Sequence, residues 1–159
     1  MTALALDRAA LLHTATRWTG ELIRARLIEA FEVEAKLPGP RGNRGSSSSW
    51  PTMEREFSDL VGWSDEARAE VWLQWARAKG AHPWEVTRMG EALDWLPILK
   101  DHRQEQQMLH AWANTKALRR SLTKVCRLKG WDKQTFYRRL NAGSERIADE
   151  LNRKGVAVR

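Results

Sequence analysis

The chain has 159 residues, 42% hydrophobic and 30% charged, with a net charge of +7. That composition fits one ordinary globular domain, or one with a small appendage, and no apolar run approaches the roughly 20 residues of a membrane span. The opening MTALALDRAALLHTATRW has no basic region ahead of its apolar residues, so no secretory leader is expected, and the single cysteine, Cys126, excludes an internal disulfide and fits a reducing cytoplasm.

Residues 2–16 read as a helix with Leu4, Leu11 and Leu12 inward, and Trp18-Thr19-Gly20 as a break. From Glu21 to Lys36 the helical period is stronger: Leu22, Ile23, Leu27, Ala30 and Phe31 recur, with Arg24, Arg26, Glu29, Glu32 and Glu34 on the other face. These N-terminal helices fill residues 1–37. Residues 38–49, rich in Pro, Gly and Ser, cannot bury enough apolar surface to offset their ordering entropy and read as a flexible loop. Arg41 and Arg44 in that loop suit either a plain linker or a basic arm in a DNA minor groove.

Residues 50–117 read as a helical scaffold. Trp50-Pro51 closes the loop, and Met53 to Leu60 forms a short helix. Ser64 is the N-cap of a helix over 65–79, with Asp65 and Glu66 at its positive end, Gly80 after it, and Ala67, Val71, Trp75 and Ala78 on one face beside Trp72. His82-Pro83 starts the next, with Val86, Met89, Leu93 and Leu96 along one side as far as Pro97. Asp101 and Gln104 resemble a capping pair for a helix over 102–117, whose apolar residues are Met108, Leu109 and Trp112. No stretch alternates as a half-buried strand does, so the expected class is all-α. Nine tryptophans, spread from Trp18 to Trp131, read as core anchors rather than one stacking surface.

The most specific stretch is Ser121–Leu151, SLTKVCRLKGWDKQTFYRRLNAGSERIADEL. It reads as a helix-turn-helix within a region 118–153, followed by a tail, 154–159. The first helix spans Ser121 to Lys129, Gly130-Trp131-Asp132 form the turn, and the second opens near Lys133; after Leu140 it either breaks at Asn141-Ala142-Gly143 or, the preferred reading, continues to about Asn152. Close helix crossing needs a small residue, supplied by Cys126, and the turn needs positive φ, supplied by Gly130. Val125, Trp131 and Phe136 are the expected buried contacts. Lys129 and Arg139 occupy positions where such motifs bury apolar side chains, with Leu128 and Leu140 next to them.

Charge singles out the same stretch. The first 115 residues carry a net of −2, while Lys116 to Arg139 hold nine bases and one acid, Asp132. Basic charge gathered on a helix-turn-helix suits a phosphate backbone, which releases counterions when bound. The second helix of such a motif enters the major groove. Lys133, Gln134, Thr135, Tyr137, Arg138 and Arg139 are the candidates there, Gln134 for adenine and Arg138 for guanine, with Thr135 alternatively a cap or phosphate contact. Lys124, Arg127 and Lys129 are candidates for the backbone.

At this point WTGELIRARLIEAFEVEAKLP, Trp50-Pro51, MGEALDWLPIL and VCRLKGWDKQTFYRRLNAGSERIADELN together resemble a family of small, tryptophan-rich, uncharacterised proteins of bacteria, phages and prophages. The C-terminal half of that family is similar to region 4 of a sigma factor. The resemblance covers about residues 17–153 and implies an all-helical fold with C-terminal DNA binding. It also implies that the long last helix has an extension able to meet a partner. The chain departs from the family pattern at Lys129 and in a longer Asn114–Arg120 connection.

Catalysis finds no constellation. His13, His82, His102 and His110 are scattered and give no metal spacing with Cys126; Glu85, Glu91, Asp94 and Asp101 read as separate surface carboxylates; no phosphate loop or G-x-S-x-G occurs. The expectation is a cytoplasmic, nucleoid-associated regulator without catalytic residues, metal or cofactor. It binds double-stranded DNA, contacts RNA polymerase as an activator or antiterminator, and belongs to a phage, prophage or gene-transfer agent; a homo-oligomer is compatible. The alternatives are the small DNA-recognition subunit of a phage packaging terminase and a protein-interaction module with a basic face.

Overall fold

The computed structural model describes residues 16–37 and 63–158. Among these residues six α-helices follow in order: α1 Gly20–Lys36, α2 Asp65–Lys79, α3 Pro83–Leu93, α4 Arg103–Ala117, α5 Leu122–Lys129 and α6 Lys133–Arg153, with one 3-10 turn at Leu96–Leu99. Among the described residues there is no strand, so the fold is all-α. No described helix is long and apolar enough to cross a membrane. The expected helix over 2–16, the loop 38–49 with Arg41 and Arg44, and the short helix Met53–Leu60 fall outside the described residues.

Helix α1 is the hub. The Thr19 hydroxyl accepts the Leu22 amide at 3.3 Å and so caps its first turn. Leu22, Ile23, Ala25, Leu27, Ala30, Phe31 and Val33 are all buried, covering most of the helix circumference. A helix apolar on several faces must be surrounded, and α2, α3, α4 and α6 all pack on α1. Being surrounded corrects one reading: Arg26, expected on the polar face, is buried, with Nη1 3.0 Å from Glu29 Oε2.

Ser64 caps α2 by accepting the Ala67 amide at 3.3 Å, and Gly80 ends it at φ 69°. Its inward face is the expected one only at Val71. Ala69, Val71 and Ala76 are buried, whereas Trp75 is 43% exposed and Ala78 is exposed. In α3, Pro83 sits in the first turn and Glu85 accepts the His82 amide at 2.7 Å. Glu85 also meets Lys36 Nζ at 2.8 Å, which holds its carboxyl below the usual range and ties α3 to the end of α1. The helix stops at Leu93 rather than Pro97, because the 3-10 turn then carries Leu96 and Leu99 into the core. Asp101 does not cap α4; His102 holds the N-cap position and makes no side-chain hydrogen bond.

The Asn114–Arg120 connection is tighter than the sequence suggests. Helix α4 runs to Ala117, then Arg119 N–H donates to Lys116 O at 3.2 Å and Arg120 N–H to Thr115 O at 2.9 Å. This is a Schellman cap, which requires a left-handed residue, here Arg119 at φ 55° rather than glycine.

Helix α6 runs unbroken through Gly143. A Cβ at that position would stand 3.2 Å from Glu105 Cβ and 3.3 Å from Leu99 Cδ1, so glycine permits α6 to lie close against α4 and the 3-10 turn. The second half of α6 is not a free extension: Ile147, Ala148 and Leu151 are buried in the same core as Ile23, Leu27 and Leu109. Its end is fastened by Asn152, whose Oδ1 accepts the Trp18 amide and whose Nδ2 donates to Trp18 O, both at 2.9 Å. The Trp18 indole N–H donates to Val156 O at 2.8 Å and its ring meets Trp95 edge-on at 4.9 Å.

Candidate nucleic-acid interface

Helix α5, a three-residue turn and the first two turns of the long helix α6 form the candidate surface. Helix α5 ends in a second Schellman cap: Gly130 N–H donates to Arg127 O at 3.2 Å and Trp131 N–H to Cys126 O at 2.9 Å. Gly130 lies at φ 65°, the left-handed conformation that favours glycine. Trp131 then stacks on Phe136 at 5.7 Å, and Cys126 and Phe136 are buried while Val125 and Trp131 are half-buried. Burial pushes the Cys126 thiol up, so it is a packing group. Leu128, next to Lys129, is 85% exposed, because the helical period turns it outward.

Asp132 sets the start of α6. Its carboxylate accepts the Thr135 amide at 2.9 Å, and that hydrogen bond holds its pKa below the usual range. An acid in the turn therefore serves as N-cap. Its signal in the sequence is an N-cap residue directly before the second helix.

The inward line of α6 is Phe136, Leu140, Gly143, Ser144 and Ile147, all buried. Its period turns Gln134, Tyr137 and Arg138 away from that line, and Lys133, three residues before Phe136, is exposed because it is the first residue of the helix. Tyr137 is 47% exposed, with its ring edge-on to Phe136 at 5.6 Å. Thr135 is half-buried and its backbone belongs to the cap, and Arg139 is half-buried beside the inward line. On α5, Lys124 and Arg127 are exposed on the outward side, whereas Lys129 lines a trough with Gln106, His110 and Trp131. The structure thus brings Lys133, Gln134, Tyr137 and Arg138 onto one stripe, with Lys124 and Arg127 on the outward side of α5, and sets Thr135, Arg139 and Lys129 apart from them.

Of the nine bases between Lys116 and Arg139, eight are exposed, Arg139 being half-buried. Among the described residues, Lys124 is the one of the nine that forms an ion pair, with Glu66 of α2. That hydrogen bond raises the Lys124 pKa and lowers that of Glu66. Both groups are exposed, so the contact is a weak surface pair. Arg119 lies over the Trp72 ring at 5.3 Å, a second contact from α2 to this region. Sequence reasoning had no signal for either contact, since the partners are more than forty residues apart.

Among the described residues no group of three or more His, Cys, Asp or Glu side chains is arranged to hold a metal ion. No protein-family model, curated protein or solved structure matches the chain, so the case for the site stands on its own residues.

Proposed function

We propose that the chain binds double-stranded DNA through the first two turns of α6 and regulates transcription with RNA polymerase, as an activator or antiterminator of a phage, prophage or gene-transfer agent. One observation carries the reading: Gln134, Tyr137 and Arg138, with Lys133 at the helix start, are exposed along the first two turns of a capped helix whose Phe136–Leu140 side is locked in the core. A helix presented in this way suits the major groove, where base edges carry a distinct donor and acceptor code. Gln134 is suited to adenine and Arg138 to guanine, each bidentate pair discriminating by about 1–3 kcal/mol. Lys124 and Arg127 take the backbone, with Lys124 exchanging Glu66 for a phosphate. On this reading the protein works at the nucleoid, the other helices face the polymerase, and the chain has no catalytic role, metal or cofactor.

The decisive experiment is a genome-wide binding map, which should show peaks at promoters together with recovery of RNA polymerase. Fluorescence anisotropy on a duplex from such a peak tests the residues. Lys133→Ala should weaken binding to all sequences and reduce the salt slope by about one. Arg138→Ala should relax the choice of base at one position. If both variants bind with unchanged affinity and salt slope, α6 is not the recognition helix. A ring of many copies in solution would instead favour the packaging-subunit reading.

A further inference from the structure

Lys129 holds a position in α5 that the fold does not account for. The inward positions of this helix recur at three and four residues: Leu122, Val125 and Cys126, then Lys129. Cys126 is buried and Leu122 and Val125 are half-buried, yet Lys129 is exposed. Where an apolar side chain would close the seam between α5, α4 and the 3-10 turn, the chain has an ammonium group. The seam stays open as a trough of about 590 Å³, lined by Leu96, Gln106, His110, Ala111, Lys129 and Trp131, together with Gln107.

Its chemistry is specific. Leu96 and Ala111 offer an apolar floor, and Trp131 supplies an aromatic wall held in place by its stacking on Phe136. Gln106 Nε2 donates to Leu96 O at 3.0 Å, which fixes one side. Among the described residues no carboxylate lines the trough, and Lys129 brings an ammonium group to it.

We propose that this trough docks a protein partner through an acidic segment carrying one apolar anchor. The anchor enters between Trp131 and Ala111, completing the apolar seam that α5 leaves open, and an adjacent carboxylate pairs with Lys129. Duplex DNA is the poorer occupant, because its charged convex backbone can reach Lys129 but brings no apolar group to the floor. The surface differs from the outward stripe of α6, so the inference does not rest on the DNA reading.

The test is a titration of the full-length, ¹⁵N-labelled chain with synthetic peptides. Each peptide has four aspartates around one central apolar residue, Leu or Phe, with the spacing between acidic and apolar residues varied across the panel. At least one peptide should bind saturably and shift the Trp131 indole and the Gln106 and Gln107 side-chain amides. Asparagine-for-aspartate and alanine-for-apolar controls should each bind at least tenfold more weakly. Lys129→Glu should abolish binding without unfolding the protein, since that side chain is exposed. Lys129→Leu should close the trough, raise the melting temperature and also abolish binding. Three outcomes overturn the proposal: no peptide binds saturably, Lys129→Glu binds as well as the parent, or the shifts fall on Lys133–Arg138 rather than on the trough. A duplex oligonucleotide that moves the trough signals when no peptide does would assign the trough to nucleic acid instead.

Discussion

Replacing Asn152 with alanine isolates the clasp between the two ends of the described fold. Its side-chain amide makes two hydrogen bonds of 2.9 Å to the backbone of Trp18, across 134 residues of chain. A net hydrogen bond contributes about 0.5–1.5 kcal/mol, and a buried group left without a partner costs about 1–3 kcal/mol. Trp18 is buried and precedes the first turn of α1, where no helical ladder offers its N–H or C=O a replacement. The expected loss for Asn152→Ala is therefore about 2–3 kcal/mol. At about 2–4 °C per kcal/mol for a chain of this size, the melting temperature should fall by roughly 5–10 °C. Urea unfolding followed by circular dichroism measures the loss, with an unchanged m-value showing that the native state remains compact. Arg153→Ala, which removes an exposed pair with Glu150 one residue away, is the control and should stay within about 0.5 kcal/mol of the parent. If Asn152→Ala also stays within that range, the clasp does not hold the fold together and the placement of Trp18 is wrong.

Three further outcomes follow from the turn and its surroundings. Gly130→Ala meets no atom within 4 Å of the new Cβ, so its cost is the left-handed backbone alone, about 1–2 kcal/mol, read from a thermal melt. The Asp132 carboxyl is held below its ordinary pKa of about 3.9 by the Thr135 amide, so its stabilisation is complete above that value and is lost as pH falls through the folded pKa. The stability difference between the parent and Asp132→Asn, followed by urea unfolding from pH 6 to pH 2, should accordingly shrink or reverse below about pH 4. Cys126 is 3% exposed and its thiol is raised by burial. Labelling by a thiol reagent at pH 7.5 should thus be slow in the native protein and rise in step with unfolding in urea; fast native labelling would show that α5 opens locally.

Much of the motif is readable from local signals. Gly130 marks the end of one helix, the Asp132 cap precedes the next, and Phe136, Leu140, Ile147 and Leu151 keep one period from 136 to 151; each depends on near neighbours in sequence. What the sequence does not reveal is decided by distant partners. Helix α2 has Val71, Trp72, Leu73, Trp75, Ala76 and Ala78 around most of its surface, and no pattern within it tells which side faces α1. Arg26 looks like a surface residue until α1 is found to be enclosed, and Gly143 looks like a possible break until the approach of Glu105 and Leu99 gives it a packing role. Lys129 shows the reverse case: its position in the period is plain, but its exposure follows from a seam that only the assembled helices create.

The position of α6 bears on how this protein can change over time. A recognition helix that sits on its own small domain can be exchanged as a cassette. Here the same 21 residues also supply Phe136, Leu140, Ile147 and Leu151 to the core shared with α1 and α4. Transplanting the helix would carry half a core into a host unable to fill it, and grafting a foreign helix here would leave that half empty. Within the first two turns of the helix, the positions free to vary without disturbing the core are the four exposed ones, 133, 134, 137 and 138. A library randomised at these four should stay folded almost throughout, so new specificities in this scaffold are reached by point substitution rather than by recombination.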